Sequence, residues 1–505
     1  MKVWTREVLH DFIRSRMEGY RFIVVSNREP YSHRYGPDGQ VECIRPASGM
    51  ATALQPVLQA TGGLWIAHGS GDADRSVVDN RDHVRVPPES PDFDLRRVWL
   101  TPEQVEGHYN GLSNQGLWPL CHVAFTRPHF EPRDWECYRE VNQIFADAVL
   151  EEADDQPTFV FIQDYHFALL PRMLRRASTN LVIAQFWHIP WPNREVFRSF
   201  PWQEEILDGL LGNDLLGFHL TSHCQNFLET IDRSIEALVD PSTLQVTRGG
   251  KPTLVRAFPI SIDFDAHSSL ARSGEVKREM QCWRKRLNLS DDALLGIGID
   301  RLDYTKGIPD RLRALDRLLE LNPEYRGRLT FVQIAVPSRS SLDAYRQVER
   351  EVTELADAVN CRWSSPHYRP VILFKQHFGQ PQMIALHRLA NFAVVTSLHD
   401  GMNLVAKEFV ASRNDEDGAL ILSRFTGSAR ELLDAILVNP FSIEEIAFAY
   451  RQAIEMPREE RVRRMQRMRE EVETNNIYRW AGKFLSAQTK FEFPEVAVST
   501  AGVTI

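Results

Sequence analysis

Short apolar runs alternate with longer amphipathic stretches along this chain of 505 residues. Continuous apolar runs of this kind are typical of parallel strands buried on both faces, and the stretches between them are long enough for helices. The pattern predicts strands at 22–27, 64–69, 158–164, 181–188, 214–219 and 253–262. A second series is predicted at 294–299, 329–336, 371–375, 392–397, 420–423 and 436–440. Two such series indicate an α/β fold with two doubly wound domains.

The boundary between the two series is predicted in PISIDFDAHSSLARSGEV, where an apolar run gives way to small and polar residues. We place it near residue 265, which divides the chain into domains 1–265 and 266–475. After Pro440 the chain is predicted to be helical. In PREERVRRMQRMREEVET the charges indicate a solvated face, with Val462 and Met465 turned inward. A helix is expected within 476–491, and 492–505 is expected to be a tail.

Composition and charge narrow the possible partners. The formal net charge is -9 and like charges do not cluster, which argues against nucleic acid and against an anionic membrane surface. The six cysteines contain no Cys-x-x-Cys pair, and the N-terminus has no apolar signal core. No apolar run is long enough to span a bilayer. We therefore expect a cytoplasmic protein with reduced thiols that acts on a small molecule.

Polar motifs follow the predicted strands, where a doubly wound sheet binds its ligands. They are SNREPY, QDYHF and WHIPWPNRE in the first half, and DRLDYTKG, VPSRSS and LHDGMN in the second. In DRLDYTKGIPDR, the cations Arg301 and Lys306 suit a diphosphate. The alternative is that Arg301 pairs with Asp300 and Asp303 on the surface.

The segment HDGMNLVAKEF predicts a second anion site. Gly401 lets the backbone approach a ligand closely, and the amides at the following helix start can bind a phosphate. Asp400 could accept hydrogen bonds from sugar hydroxyls, and Glu408 from a ribose diol. The alternative is that Asp400 caps the helix while Glu408 pairs with Lys407 or solvent.

The motifs HYNGLSNQGLWP, QDYHFALLP, FWHIPWP, RLDYTKGIP and DGMNLVAKE, in this order, closely resemble those of the trehalose-6-phosphate synthases and their relatives, over about residues 21–485. The resemblance implies the GT-B architecture, two facing Rossmann-like domains with a C-terminal helix that crosses back to the first. It also implies transfer of glucose from a nucleotide sugar, UDP-glucose by family default, to glucose 6-phosphate with retention. A homo-oligomer is common among such enzymes.

The resemblance assigns roles to residues one by one. On the donor side it implies contacts with the diphosphate, with the glucosyl group and with the ribose, and a backbone loop around the sugar and diphosphate. The residues implied are Arg301, Lys306, Asp400, Gly401, Met402, Asn403, Leu404, Val405 and Glu408. His188 would lie beside the transferred glucose, unless it is simply a satisfied histidine at a strand end. On the acceptor side it implies contacts from Arg28, His68, Tyr109, Trp118, Asp164 and Arg339. For Tyr109 and Trp118 the alternative is core packing.

Two departures bear on the acceptor. His68 stands where the family pattern has a tryptophan, and Ser48 where it has a second glycine. The segment SNREPY also resembles the glucosylglycerol-phosphate synthases, which use glycerol 3-phosphate, whereas Arg339 favours the trehalose type. A third alternative is an inactive relative that only binds sugar phosphates, although the donor-side residues are intact.

The expected mechanism needs neither a cofactor nor a metal. No carboxylate is evident on the face opposite the leaving group, so a covalent glycosyl-enzyme is not expected. The resemblance implies a front-face route in which His188, Arg301, Lys306 and Asp400 act around the departing diphosphate. The two Asp-Phe-Asp segments, at 92–94 and 263–265, lie in an expected loop and an interdomain link, and neither predicts a metal site.

Overall fold

The computed structural model describes residues 3–45, 49–290 and 292–493. The strands of the first half are β1 (Arg21–Arg28), β2 (Ser32–Tyr35), β3 (Val41–Ile44), β4 (Leu64–His68), β5 (His83–Val86), β6 (Phe93–Val98), β7 (Thr158–Gln163), β8 (Leu181–Phe186), β9 (Leu215–Phe218), β10 (Leu238–Asp240), β11 (Gln245–Arg248) and β12 (Lys251–Ala257). Those of the second half are β13 (Leu294–Arg301), β14 (Leu329–Val336), β15 (Val371–Phe374), β16 (Phe392–Val395), β17 (Ala419–Ser423) and β18 (Ile436–Val438).

Helices connect these strands. In the first half they are α1 (Arg6–Met17), α2 (Gly49–Thr61), α3 (Asp74–Val77), α4 (Pro102–Gln104), α5 (Trp118–His122), α6 (Pro132–Ala153), α7 (Leu170–Ala177), α8 (Arg194–Phe197), α9 (Gln203–Leu210) and α10 (Thr221–Ser234). In the second half they are α11 (Phe264–Arg272), α12 (Gly274–Arg286), α13 (Ile308–Leu321), α14 (Asp343–Trp363), α15 (Gln380–Leu389), α16 (Leu404–Ser412), α17 (Ile443–Glu455), α18 (Arg458–Thr474) and α19 (Ile477–Gln488). A π-helix, Val105–Leu117, precedes α5, and 3₁₀ turns lie at Tyr165–Phe167, Tyr304–Lys306, Pro323–Tyr325 and Gly427–Arg430.

The first sheet has the spatial order β10-β11-β12-β9-β8-β7-β1-β4-β6-β5. Its central strands are parallel, and antiparallel pairs occur only toward its two ends, among the described residues. Every residue of β7 and β8 is buried, because helices cover both faces of a doubly wound sheet. All six strands predicted in this half are present.

The second sheet is parallel throughout its described strands, in the order β15-β14-β13-β16-β17-β18. All six strands predicted in this half are present as well. Met465 of α18 is buried in the core of this half, as the charge pattern predicts, and Val462 is half-buried. The two sheets and their helices confirm the predicted α/β fold.

The last described helix, α19, returns to the first sheet. Its apolar residues, among them Trp480 and Phe484, are buried in the core that contains β1 and α1. Gln488 Nε2 donates to the carbonyl oxygen of Val160, 3.1 Å away, in β7. The chain therefore crosses back to the first half, as the resemblance implied.

The strands that the sequence analysis missed are short or lie toward the ends of the first sheet. They are the hairpin β2–β3, and β5, β6, β10 and β11. The prediction of a loop around Asp92–Asp94 is wrong at its second half, because Phe93 begins β6 and Asp94 pairs with Arg85. Polar and charged side chains interrupt these strands, so they lack the continuous apolar runs by which the other strands were predicted. Among the described residues, no helix combines the length and apolar character needed to cross a bilayer.

Candidate active site

Lys306 and Asp400 form an ion pair at the carboxyl edge of the second sheet. Lys306 ends a 3₁₀ turn after β13, and Asp400 follows the neighbouring strand β16. The Lys306 Nζ lies 2.6 Å from Asp400 Oδ2. Burial alone would raise the pKa of Asp400, but the ammonium group holds it well below its usual range. The pair is therefore ionised and fixes both side chains at the strand ends.

All of the hydrogen bonds to the Asp400 carboxylate converge on one oxygen. Besides Lys306, the hydroxyl of Ser397 and the amide of Asn403 donate to Oδ2, at 3.3 and 3.2 Å. Within the described residues, Oδ1 accepts no hydrogen bond. An unengaged carboxylate oxygen at the edge of a sheet can accept from a ligand hydroxyl.

The residue that caps helix α16 is Asn403, so the alternative in which Asp400 is the cap is wrong. Asn403 has a φ of 85° and its side chain accepts from Ala406 N. The amides of Leu404 and Val405 are left at the helix start, where a helix binds anions. Gly401 is required here by close contact, because a β-carbon on it would lie 2.5 Å from the carbonyl oxygen of His188.

Glu408 lies on α16 and has no side-chain hydrogen bond or ion pair within the described residues. The alternative that it pairs with Lys407 is wrong, because Lys407 Nζ contacts Glu431 at 2.7 Å and the Ile260 carbonyl at 2.8 Å. Burial raises the pKa of Glu408 to about 7. An unpartnered carboxyl about one turn from the helix mouth is consistent with a ligand contact.

Arg301 does not pair with the acidic residues beside it in sequence. Asp300 instead binds Arg311 Nη1 at 2.7 Å, and Asp303 accepts from Thr305 N at 2.9 Å. Within the described residues, the Arg301 guanidinium forms no ion pair, and it lies 5.7 Å from the centre of the Trp118 ring. The surface-pairing alternative is therefore wrong, and Arg301 faces the first half.

Arg28, Tyr109 and Arg339 lie together across the cleft. Arg28 is the last residue of β1 and donates from Nη2 to Tyr109 Oη, 2.7 Å away. Arg339 comes from the second half, with its guanidinium 6.0 Å from the Tyr109 ring. Burial alone would raise the pKa of Tyr109, but the cations of Arg28 and Arg339 lower it to about 8. Two guanidinium groups thus meet one phenol, an arrangement suited to a phosphate.

Trp118 is buried and still faces the cleft. The Arg339 guanidinium lies 4.4 Å from the centre of its ring, and the His122 ring packs 4.0 Å away. Its amide N–H donates to Ser113 O, five residues back, which ends the π-helix that carries Tyr109. A π-helical segment of this kind is often found at functional sites. Trp118 therefore packs in the core and also contacts the cleft.

The two halves also touch beside Asp400. His399 Nδ1 lies 3.0 Å from the carbonyl oxygen of His122, which ends α5. This contact joins the segment that carries Trp118 to the loop that carries Asp400. Neither histidine was singled out in the sequence, because residues 277 positions apart give no local signal of contact.

Asp164 and His188 lie at the ends of adjacent strands β7 and β8. Asp164 has a φ of 69°, and its Oδ1 accepts from the amides of Tyr165 and His188, both 3.0 Å away. Burial raises the pKa of Asp164 to about 7. Burial also lowers the pKa of His188 to about 3, so its ring is neutral, and Nε2 lies 3.0 Å from Gln163 Oε1. One ring nitrogen of His188 is therefore satisfied within the protein.

His68 ends β4 and is half-buried, with Nδ1 3.2 Å from the carbonyl oxygen of Val98. Burial lowers the pKa of His68, so this side chain is neutral at neutral pH. Ser48, the other departure from the family pattern, lies outside the described residues.

Met402 is buried against the first core, and its carbonyl oxygen accepts from Ser428 N.

The sequence analysis missed the side chains that hold the site residues in place. Tyr345 Oη accepts from Arg339 Nη1, and the buried Asp303 carboxylate lies 3.8 Å from the same guanidinium. Arg339 itself has a φ of 50°. A tyrosine six residues downstream of an arginine is too common in sequences to mark the two as partners.

The described residues contain no group of three or more His, Cys, Asp or Glu side chains placed to bind a metal ion. The second Asp-Phe-Asp segment instead begins a helix, since Asp263 accepts from Ala266 N and from Tyr478 Oη. These contacts link α11 to α19.

Comparison with known proteins identifies the family that the sequence motifs resemble. The model of glycosyltransferase family 20 matches residues 20–490. A trehalose-6-phosphate synthase of Mycobacterium avium (strain 104) is 39% identical over 473 residues, which are 92% of this chain and 94% of the relative.

Solved structures are similar over nearly the whole chain. One, described as "Trehalose-6-phosphate from E. coli bound with UDP-2-fluoro glucose", has a TM-score of 0.83 at 30% identity and covers 94% of this chain and 99% of its own. Another, an α,α-trehalose-phosphate synthase (UDP-forming) from Burkholderia xenovorans in complex with glucose-6-phosphate, has a TM-score of 0.81 at 30% identity, with 93% and 99% covered.

Proposed function

The chain belongs to glycosyltransferase family 20, and from this premise we propose that it transfers glucose from UDP-glucose to glucose 6-phosphate with retention, giving trehalose 6-phosphate. Relatives named trehalose-6-phosphate synthase support this activity, as do the structures with a UDP-sugar analogue and with glucose-6-phosphate. The acceptor and the donor would meet in the cleft between the two sheets.

One observation carries the proposal. The Trp118 ring, from the first half, lies 5.7 Å from the guanidinium of Arg301 and 4.4 Å from that of Arg339. Arg301 belongs to the loop proposed for the donor diphosphate, and Arg339 to the cluster proposed for the acceptor phosphate. Two guanidinium groups beside one aromatic ring suit a nucleotide sugar and a phosphorylated acceptor.

On the donor side, we assign the leaving diphosphate to Arg301, Lys306 and the amides at the start of α16. Asp400 would accept from glucosyl hydroxyls through Oδ1, the oxygen that has no partner within the described residues. Glu408 would bind the ribose diol, which would satisfy a carboxyl that otherwise has no partner among the described residues. Met402 and Asn403 would contribute backbone contacts, and His188 would lie beside the transferred glucose.

On the acceptor side, we assign the phosphate to Arg28, Tyr109 and Arg339. Trp118 would pack against the sugar ring, which aromatic faces bind well in a partly buried site. Asp164 would accept from an acceptor hydroxyl, and His68 would contribute a neutral hydrogen bond. A bidentate contact from each arginine would orient the phosphate as well as attract it.

The proposed mechanism needs no carboxylate nucleophile. Asp164 Oδ1 is held by two backbone amides, which leaves it poorly suited to attack the anomeric carbon. The bond from that carbon to the diphosphate oxygen would break as the acceptor oxygen bonds on the same face. The departing oxygen would take the acceptor hydroxyl proton, while Arg301 and Lys306 stabilise its charge.

The decisive experiment measures nucleotide release from UDP-glucose with glucose 6-phosphate, with glycerol 3-phosphate and without acceptor, and identifies each product by mass. We expect release only with glucose 6-phosphate and a phosphorylated disaccharide as product. Release only with glycerol 3-phosphate would overturn the acceptor assignment and support the glucosylglycerol-phosphate alternative. No release with either acceptor, together with tight sugar-phosphate binding, would support a regulatory relative.

The domain organisation is part of the proposal. We propose an acceptor-binding domain at 1–265, a nucleotide-sugar-binding domain at 266–475, and a crossing segment at 476–491. We also propose that the enzyme acts in the cytoplasm as a homo-oligomer. Sedimentation of the purified chain tests the assembly state directly.

A further inference from the structure

A buried group of charged side chains includes Glu29, the residue next to Arg28 of the proposed phosphate site. This acceptor-edge cluster consists of Glu29, His33, Asp74 and Arg97. Glu29 follows β1, Asp74 begins α3 after β4, and Arg97 lies on β6, so three neighbouring strands of the first sheet contribute. The exposed fractions of the Arg97, Glu29 and Asp74 side chains are 0%, 3% and 0%. No step of the proposed reaction uses them.

Arg97 is the centre of the acceptor-edge cluster. Its Nε donates to Glu29 Oε2 at 3.0 Å, and Nη2 lies 2.8 Å from Asp74 Oδ1. Its Nη1 donates to the Asp74 carbonyl at 3.0 Å, and Nη2 also lies 2.7 Å from His33 Nδ1. A planar guanidinium with this many partners fixes their mutual positions.

The two carboxylates of the acceptor-edge cluster hold the loop after β4. Glu29 Oε1 accepts from both the amide and the hydroxyl of Ser70, each 3.2 Å away. Asp74 Oδ2 accepts from Gly71 N at 2.6 Å, and its Oδ1 accepts from His33 N at 2.7 Å. A β-carbon on Gly71 would lie 2.2 Å from the His33 carbonyl oxygen, so the loop after β4 is in close contact with β2, which follows the Glu29 loop.

Each loop held by the cluster follows a strand that ends at a residue assigned to the acceptor. Arg28 immediately precedes Glu29, and its exposed side chain extends to Tyr109 Oη. His68 lies two residues before Ser70. Glu29 is buried, and its hydrogen-bond partners are Arg97 and Ser70, so a change at Glu29 would reach the acceptor phosphate site through the backbone.

We propose that Glu29, held by Arg97, is a positioning residue for the phosphorylated acceptor: it fixes the loops after β1 and β4 so that Arg28 and His68 face the acceptor phosphate. This inference rests on the proposed function, because it concerns the same acceptor site. It assigns Glu29 no contact with substrate.

The test is the variant Glu29→Gln, assayed at about pH 8. Burial and the neighbouring Asp74 carboxyl raise the pKa of Glu29 to about 7, so the wild-type carboxyl is ionised there. Both oxygens of the Glu29 carboxylate accept hydrogen bonds. A glutamine has only one acceptor oxygen, and its amide NH2 would face the other donor. We expect the KM for glucose 6-phosphate to rise about tenfold, with the KM for UDP-glucose unchanged.

The matched control is Glu152→Gln. Glu152 accepts from Arg96, the neighbour of Arg97 on β6, at 2.8 Å, and contacts His83 at 3.1 Å, away from the acceptor edge. We expect its two KM values to equal those of the wild type. Ser70→Ala removes one bond to Glu29 without changing charge, and should raise the acceptor KM about two- to threefold.

Calorimetric titration of the variants with glucose 6-phosphate and with UDP completes the test. A selective loss of glucose 6-phosphate affinity in Glu29→Gln and Ser70→Ala supports the positioning role. Equal changes in both affinities, a lower melting temperature with unchanged KM values, or no change at all would each overturn it. The proposed function fails separately, when the wild type binds or transfers to glycerol 3-phosphate instead, and Glu29→Gln is then scored with that acceptor.

Discussion

The two edges of the cleft hold their charges differently. At the edge of the second sheet, the Lys306 ammonium is already paired with Asp400 at 2.6 Å. At the edge of the first sheet, Arg28 contacts the hydroxyl of Tyr109 at 2.7 Å and Arg339 lies over an aromatic ring. Each edge thus has one cation without an ion pair among the described residues, Arg301 or Arg28. The contact between the other cation and its carboxylate is close at the donor edge and loose at the acceptor edge, where Arg339 lies 3.8 Å from Asp303.

A buried arginine lies beneath each edge, and the two arginines differ in the number of their carboxylate partners. Arg311, beneath the donor edge, binds one carboxylate, Asp300, and neutral groups of Gln333 and Thr396. Arg97, beneath the acceptor edge, contacts two carboxyl groups. A neutralised cation gains little from binding a further anion but is held rigidly, while unneutralised cations attract one strongly. We therefore expect the donor edge to control turnover and the acceptor edge to control affinity.

The largest effect is expected for Lys306→Ala. Removing the ammonium deletes stabilisation of the leaving diphosphate and leaves the buried Asp400 carboxylate without its cation. We expect kcat to fall about 100- to 1,000-fold, with a much smaller change in the acceptor KM. Steady-state kinetics of UDP release measure both.

Lys375→Ala is the control for that variant, since Lys375 pairs with Glu349 in the same half but on its exposed surface. It should have wild-type turnover. If Lys306→Ala kept the wild-type kcat, the leaving-group role of Lys306 would be wrong.

The next largest effect is expected for Arg339→Gln. The guanidinium is buried over Trp118, and its loss removes charge-assisted hydrogen bonds to the acceptor phosphate. We expect the KM for glucose 6-phosphate to rise about 10- to 100-fold, with the KM for UDP-glucose unchanged. Arg313→Gln, which removes an ion pair with Glu351 in the same half, is the control. A parallel rise in both KM values would contradict the expected division between the two edges.

The smallest effect is expected for Tyr109→Phe and appears in the pH profile. Burial alone would raise the pKa of Tyr109, but the charges of Arg28 and Arg339 lower it to about 8. Above that pH the phenol loses its proton, so it can no longer donate to a phosphate and instead repels it. In the wild type, kcat/KM for glucose 6-phosphate should therefore fall as the pH rises above about 8.

Tyr109→Phe should lower kcat/KM a few-fold at neutral pH, by about the value of one hydrogen bond, and should lack that alkaline decrease. The exposed Tyr35→Phe serves as the control and should keep the wild-type profile. An unchanged alkaline decrease in Tyr109→Phe would assign the ionisation to another group.

Much of the fold was predictable because its strongest signals are local. Strands such as β7 and β14 are continuous apolar runs, and their existence follows from burial on both faces. The hairpin β2–β3 was missed since its strands are short, half of their residues are polar, and its pairing depends on contact across a turn. The capping role of Asn403 was missed for a similar reason, because Asp400 in the same segment has an equally suitable side chain.

The candidate site was predictable only in part. The motifs placed its residues after strands, and the structure brings Arg301, Lys306 and Asp400 to one edge and Arg28, Tyr109 and Trp118 to the other. Their individual roles stay predictions until the variants are measured. The acceptor-edge cluster could not have been predicted, since Arg97 carries no motif and lies 68 positions from Glu29, whose segment SNREPY gives no sign of a buried partner.

By itself, the sequence determined the alternation of strands and helices, the family, and the residue types available at each strand end. These follow from apolar periods and motifs, which act over a few residues. Only the tertiary structure decided which charges neutralise each other, such as Lys306 with Asp400, and which do not, such as Arg28. Electrostatic and hydrogen-bond energies depend on distances of a few ångströms and on burial, and both are set when remote segments pack together.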